Sequence, residues 1–230
     1  MKRTLLGCLL SLCWFAGCRP GPDSNAKNPP APLVKQDKTA LSGPGPEKRK
    51  RIVFFGNSLT AGYGVEPAEA FPALIQEKID SLSLPYLVVN AGLSGETSAG
   101  GNSRIDWILR ERVDVFFLEL GGNDGLRGIP VEETIRNLQS ILDKVKSKYP
   151  SAKIVLAGMQ IPPSMGQQYT AAFRNVFPGL ARSNHLTLIP FLLEKVGGEP
   201  ELNQSDGIHP NPKGHRLVAQ TVWKALKPLL

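Results

Sequence analysis

Five short apolar runs, Ile52 to Phe55, Tyr86 to Val89, Val113 to Leu120, Ile154 to Met159 and Leu186 to Ile189, alternate along this chain with segments of helical periodicity. Runs this short and this apolar read as strands buried on both faces, the pattern of a parallel sheet covered by helices. The first helical segment, Glu69 to Leu82, carries Phe71, Leu74, Ile75 and Ile79 on one stripe. A second helix is expected around Ser103 to Arg112. The third is marked by Ile135, Leu138, Ile141, Leu142 and Val145, the fourth runs from Tyr169 to Arg182, and Lys213 to Leu226 closes the chain. The alternation predicts an α/β fold, a three-layer α/β/α sandwich around a five-stranded parallel sheet, with no internal repeat.

The polar, glycine-flanked stretches fall where such a sheet keeps its ligand site. Gly56-Asn-Ser58 follows the first strand, Gly92-Leu-Ser-Gly95-Glu-Thr the second, Gly121-Gly-Asn123-Asp the third, and Asp206-Gly-Ile-His209-Pro comes after the fifth. All four lie beyond carboxyl ends of strands, the edge at which open α/β sheets bind ligands. Each stretch alone reads as an ordinary turn, because Gly, Asn, Asp and Ser are turn formers. Together they bring a serine, an Asp/His pair, an asparagine amide and a glycine backbone to one edge, the inventory of a serine hydrolase.

A serine hydroxyl is a weak nucleophile unless a base lies within hydrogen-bond reach and something orients that base. Among the three histidines, His185 precedes the fifth strand and His215 lies on the last helix, where an exposed or capping role is expected. Only His209 sits in a loop at the right edge. Asp206, three residues earlier, can turn back to fix the imidazole tautomer, while Glu119 and Asp124 are rival carboxylates. Backbone N–H groups of Ser58 and Gly95 and the side-chain amide of Asn123 are the candidate donors to a developing oxyanion. With His209 as base, activity is expected to rise with pH as the imidazole loses its proton.

The charge balance excludes one class of partner. The net charge is +7, but residues 1 to 51 hold ten Lys/Arg and three Asp/Glu, which accounts for all of it, while residues 52 to 230 hold seventeen of each sign. The excess belongs to a leader and tether, no basic face is implied for the domain, and nucleic acid is set aside. Lys2 and Arg3 precede an apolar run from Leu5 to Ala16, too short to span a bilayer and built like a secretory signal. Residues 19 to 50, rich in Pro, Gly, Lys and Asn, cannot form a core and read as a flexible tether that lets the domain stand off by roughly 30 Å. Lys48-Arg-Lys-Arg51 reads as a solvated charge run, with contact to anionic lipid head groups as the alternative. The only cysteines are Cys8, Cys13 and Cys18, so the domain itself has no disulfide, thiol nucleophile or cysteine metal site.

Two resemblances sharpen these readings. Phe15-Ala-Gly-Cys18 resembles the lipobox of bacterial lipoproteins, which implies residues 1–17 as signal peptide, Cys18 as the acylated anchor, 18–50 as tether, and an exported domain held at a membrane. An ordinary cleaved signal with an incidental cysteine is the alternative. Arg19 after the cysteine leans, by the same resemblance, toward the outer membrane. Gly-Asn-Ser58-Leu-Thr, Ser-Gly95-Glu-Thr-Ser, Gly-Gly-Asn123-Asp-Gly and Asp206-Gly-Ile-His209-Pro resemble, in order, the four blocks of the SGNH (GDSL-type) hydrolases. The match covers residues 51–230 and is closest to the exported thioesterase, lysophospholipase and arylesterase branch. The resemblance implies a flavodoxin-like sheet of order 2-1-3-4-5, no metal or cofactor, Ser58 as nucleophile, Gly95 and Asn123 completing the oxyanion hole with Ser58, and Asp206 and His209 completing a triad. Asn57 stands where the family most often has aspartate, which leaves the contacts that hold the serine turn open. Thr60 in place of the final glycine sets the motif apart from the Gly-x-Ser-x-Gly elbow of α/β-hydrolases.

The function expected is hydrolysis of carboxylic esters, and of thioesters, of acyl chains through an acyl-serine. The small acyl ester or lipid is the partner, the lipid anchor supplies the membrane contact, and no obligate protein partner is implied. The alternatives are an O-acetylesterase acting on polysaccharide and a non-catalytic glycan- or lipid-binding lipoprotein. Leu126, Ile129, Ile161 and Met165, in the loops after the third and fourth strands, are candidates to line a groove for an alkyl chain; packing on the domain is the alternative for each.

Overall fold

The computed structural model describes residues 49–230. The signal peptide, Cys18 and the tether up to Lys48 lie outside the described residues. Five parallel strands, β1 (Lys50–Gly56), β2 (Tyr86–Gly92), β3 (Val115–Glu119), β4 (Lys153–Ala157) and β5 (Thr187–Ile189), form one sheet in the order β2-β1-β3-β4-β5, as expected. β1 and β3 occupy the centre of the sheet, and Ile52 to Phe55 and Val115 to Leu118 are fully buried, which is why both are uninterrupted apolar runs.

The helices are α1 (Ser58–Ala61), α2 (Phe71–Ser81), α3 (Ser98–Ile108), α4 (Gly122–Leu126), α5 (Val131–Lys148), α6 (Gln167–Arg174), α7 (Val176–Asn184) and α8 (Pro212–Leu226). On one face of the sheet α2 packs with α8; on the other α3 packs with α5, and α5 with α7. Alternation along the strands sends aromatic side chains to both sides. Phe54 and Phe117 meet Phe71 of α2, with ring centroids 5.6 and 6.0 Å from it, and Phe55 and Phe116 pair on the opposite face 5.7 Å apart.

Three helices differ from expectation, each for a local reason. α3 begins at Ser98 rather than near Ser103, because Thr97 caps it by accepting the Gly100 N–H. Gly101 is required within it, since a Cβ there would lie 2.3 Å from Leu120 Cδ1 and 3.2 Å from the Phe55 ring. The segment 169–182 is two helices rather than one: Pro178 has no N–H to give the carbonyl four residues earlier, that of Arg174, and the chain breaks at Asn175. α5 begins at Val131, and its buried stripe is Val131, Thr134, Leu138, Ile141, Leu142 and Val145, with Ile135 turned outward at 37 % exposure.

Arg49 and Arg51, part of the basic run before β1, are engaged by carboxylates of their own domain. Arg49 pairs with Asp80 at 3.1 Å and Arg51 with Glu111 at 2.6 Å.

Candidate active site

β1 ends at Gly56, and a tight turn delivers Ser58 as the first residue of α1. Gly56 is forced by close approach, because a Cβ there would meet Thr60 Oγ1 at 2.2 Å and Glu119 Oε2 at 2.6 Å. Asn57 caps the helix, its Oδ1 accepting the Leu59 N–H at 2.9 Å. As N1 of a helix, Ser58 has a backbone N–H without an intrahelical acceptor, so that donor is available at the catalytic edge.

The Ser58 hydroxyl lies 2.9 Å from His209 Nε2, and His209 Nδ1 lies 2.6 Å from Asp206 Oδ2. A carboxylate only accepts, so Nδ1 carries the proton, and Nε2 is left to accept from the serine hydroxyl. The other Asp206 oxygen accepts the backbone N–H groups of Ile208 and His209 at 2.9 and 3.0 Å, which folds the segment back on itself. Gly207, with φ +68°, makes that reversal without strain. Burial pushes the Asp206 carboxyl up, but the hydrogen bonds from His209 and Ile208 outweigh it and hold the group down at about 2.

Residues that carried no sequence signal brace this pair. The Gln204 N–H donates to the His209 carbonyl at 2.8 Å, and the Gln204 amide donates to the carbonyls of Tyr63 and Pro210. The Tyr63 ring lies 4.7 Å from the imidazole. The rival carboxylates have other uses. Asp124 is fully buried and accepts the Ser98 backbone N–H at 2.8 Å and the Ser98 hydroxyl, tying α4 to the start of α3. Glu119 is also fully buried, and its partners are Asn57 and Thr60 of the serine turn. His215 is not exposed: it is 1 % accessible, and its Nδ1 accepts the Phe71 N–H, capping the start of α2 from another helix. Burial, and secondarily the charge of His209, push the His215 imidazole down to about 4.

The other two candidate donors lie in the loop after β2 and in α4; Asn123 lines the cleft that holds Ser58 and His209, and Gly95 is not among the residues that line it. Gly95 has φ +79°, and Arg127 donates to its carbonyl at 3.0 Å, which directs the peptide. One hydrogen of the Asn123 amide goes to the Glu96 carbonyl at 2.9 Å, leaving the second for a ligand. Arg104 straps the loop to the sheet, meeting both Glu96 oxygens at 2.5 Å and the Ala91 carbonyl at 2.7 Å.

Ser58, Asn123 and His209 line a cleft of about 450 Å³ whose walls are largely apolar, with Leu126, Met159, Ile161, Phe191, Leu193 and Ile208 among them. Of the four loop residues singled out from sequence, Leu126 and Ile161 line this cleft. Ile129 and Met165 do not. The Ile129 backbone carbonyl accepts the Tyr169 hydroxyl at 2.6 Å, and Met165 lies in a separate depression with Pro130, Val131 and Tyr169. Met159 was missed because it reads as the end of a buried strand, and Phe191 and Leu193, in the turn segment after β5, were not singled out. Among the described residues no cluster of three or more His, Cys, Asp or Glu could hold a metal ion.

This arrangement, a hydroxyl, imidazole and carboxylate in one hydrogen-bonded line with the Asn123 amide in the same cleft, has the parts that acyl transfer uses. Comparison with known proteins agrees. Residues 54–217 match the profile of the GDSL-like lipase/acylhydrolase family. The chain is 39 % identical over 180 residues to the esterase TesA of Pseudomonas aeruginosa, covering 78 % of this chain and 89 % of that protein. It is 38 % identical to the thioesterase 1/protease 1/lysophospholipase L1 of Escherichia coli, covering 78 % of this chain and 84 % of the relative. Among solved structures, the psychrotrophic esterase EstA from Pseudoalteromonas, inhibited by monoethylphosphonate, superposes with a TM-score of 0.74 at 32 % identity, over 78 % of this chain and 97 % of that one. The chain therefore belongs to the GDSL-like lipase/acylhydrolase family and is an ester-hydrolysing serine enzyme.

Proposed function

We propose that Ser58, His209 and Asp206 act as nucleophile, general base and orienting carboxylate in the hydrolysis of acyl esters and thioesters. The observation that carries the reading is the unbroken line from Ser58 Oγ to His209 Nε2 at 2.9 Å and from Nδ1 to Asp206 at 2.6 Å. Ser58 Oγ attacks the acyl carbonyl while its proton passes to Nε2. The oxyanion receives the Ser58 and Gly95 N–H groups and the free amide hydrogen of Asn123. Collapse expels the alcohol or thiol, which takes the proton from His209. Water, deprotonated by the same imidazole, then attacks the acyl-serine; the second tetrahedral species breaks its bond to Ser58 Oγ, which takes the proton back from His209, and the carboxylic acid leaves.

The apolar walls of the cleft favour an alkyl acyl chain over an acetyl group, since each buried methylene contributes about 0.8 kcal/mol. The full chain is expected to hydrolyse p-nitrophenyl esters with a preference for acyl groups longer than acetyl. A folded protein that turns over none of the series from acetyl to palmitoyl would sink the reading, and a sharp acetyl preference would favour the polysaccharide O-acetylesterase. In the same assay Asn123→Ala is expected to lower kcat by about 10²- to 10³-fold with little change in KM, as loss of one oxyanion donor does elsewhere.

The lipobox-like Phe15-Ala-Gly-Cys18 supports an exported domain, residues 51–230, held to a membrane of the cell envelope through acylated Cys18 and the 18–50 tether. A palmitate analogue fed to expressing cells is expected to label the wild type and leave Cys18→Ser unlabelled. Equal labelling of the two removes Cys18 as the anchor.

A further inference from the structure

Beneath the serine turn lies a carboxylate that the mechanism above does not use. Glu119 ends β3 directly beside Gly56 of β1 and is 0 % exposed. Its Oε2 accepts the Asn57 backbone N–H at 3.1 Å and the Thr60 hydroxyl at 2.8 Å, and its Oε1 accepts the Asn57 side-chain amide at 2.7 Å. Every partner is on the segment that carries Ser58, and every one is a donor. A buried anion receiving three donors from one tight turn holds that turn in a single conformation, because releasing any donor leaves part of a buried charge unsatisfied.

The orientation of the Asn57 amide follows from its surroundings. The Leu59 N–H requires an acceptor and the Glu119 carboxylate requires a donor, so Oδ1 faces Leu59 and Nδ2 faces Glu119. Oδ1 is also 3.4 Å from Ser58 Oγ. Turning the amide over would set Nδ2 against the Leu59 N–H, remove the cap of α1, and put a donor beside the serine oxygen whose lone pair must attack. Thus Glu119 fixes the amide, the amide caps the turn, and the turn aims Oγ.

We propose that Glu119 is a positioning residue that acts on Ser58 through Asn57, the carboxylate–amide pair setting the direction of the nucleophile. The inference rests on the reading of Ser58 as nucleophile. Burial raises the Glu119 pKa to about 7 while the bonds from Thr60 and Asn57 pull it down, so the donors work against the charge penalty of the site.

The test is a swap of the two groups in the full chain. In Glu119→Gln the new amide sets a donor either against the Asn57 backbone N–H and the Thr60 hydroxyl, which loosens the turn, or against Asn57 Nδ2, which forces the Asn57 side chain to turn over. The expected result is a fall in kcat of about 10²-fold with KM within about threefold, the signature of a misaimed nucleophile. In the double variant Asn57→Asp/Glu119→Gln the pair is reversed. The Gln amide donates to the new carboxylate, that carboxylate caps Leu59, and the Gln carbonyl accepts the residue 57 N–H and the Thr60 hydroxyl. The double variant is expected to recover at least about tenfold of the lost kcat, the coupling found between residues in direct contact.

Two results would overturn the proposal: an unchanged kcat in Glu119→Gln, or a double variant no better than the single one. Should Glu119→Gln fail to fold, the swap still decides, because a folded and active double variant supports the pairing and an unfolded one refutes it. Wild type and Ser58→Ala run alongside keep the two readings separate. Loss of activity in Ser58→Ala with no effect of Glu119→Gln sinks only the positioning role, whereas equal rates for wild type and Ser58→Ala sink the nucleophile assignment itself.

Discussion

Replacing Ser58 or His209 with alanine is expected to lower kcat for a p-nitrophenyl ester by about 10⁶-fold, and replacing both to cost no more than either alone. The non-additivity follows from the geometry. The hydroxyl and Nε2 are 2.9 Å apart and form one proton-transfer unit, so once either is gone the other has nothing left to do. The residual rate should still exceed that in water, by about 10³- to 10⁴-fold, because the cleft and the proposed oxyanion donors are untouched. Initial rates at saturating ester, with circular dichroism to confirm folding, provide the check. A Ser58→Ala protein within about tenfold of wild type, well outside the expected range, would exclude the serine mechanism.

Asp206→Asn is expected to lower kcat by about 10⁴-fold, far more than its partial exposure would suggest. Asparagine can still fill the turn and accept the Ile208 and His209 N–H groups, so the fold should persist. The amide that then faces Nδ1 offers either a hydrogen, which forces the imidazole into the tautomer with the proton on Nε2, or a neutral oxygen that no longer stabilises the imidazolium. In the first case Nε2 cannot take the serine proton. With its pKa held down at about 2, Asp206 is ionised throughout the range in which an ester assay is run. Its protonation is therefore expected to contribute nothing to the acid limb of the wild-type profile. Comparable kcat values for Asp206→Asn and wild type would move the orienting role to another residue. Neither Glu119 nor Asp124 is available for it, as both are buried and committed to Asn57, Thr60 and Ser98.

The arginine strap shows where local reading stops. Nothing in the sequence around Arg104 ties it to Glu96, yet the pair, with the Ala91 carbonyl, fixes the loop that carries Gly95. Asp124 is similar: it reads as part of a turn, but it lies in α4 and joins it to the first residue of α3, 26 positions earlier. His215 invited an exposed or capping role from its position on the last helix, and it is the helix start at Phe71 that it caps, 144 residues away. In each case the partner is remote in sequence, and no periodicity or turn chemistry encodes a remote partner. The single helix expected over 169–182 failed for a different reason. Pro178 was visible in the sequence, but the apolar spacing on both sides of it remained helical and masked the break it causes at Asn175.

The sequence by itself determined the five strands in order, the parallel sheet, and the placing of four polar loops beyond the carboxyl ends of strands, with Ser58, Asp206 and His209 among them. Those properties rest on local rules: strand and helix periods, the turn preferences of Gly, Asn and Asp, and the constraint that parallel strands end on the same side. Only the tertiary structure decided which apolar loop residues line the cleft, placing Leu126 and Ile161 in its wall, Met165 in a separate depression, and Ile129 outside the lining. It also decided what holds the serine turn, joining Asn57 to Glu119 across 62 residues. The physical reason is that the direction of a side chain in a loop, and the partner of a buried polar group, are set by the packing of elements that meet only once the sheet has assembled.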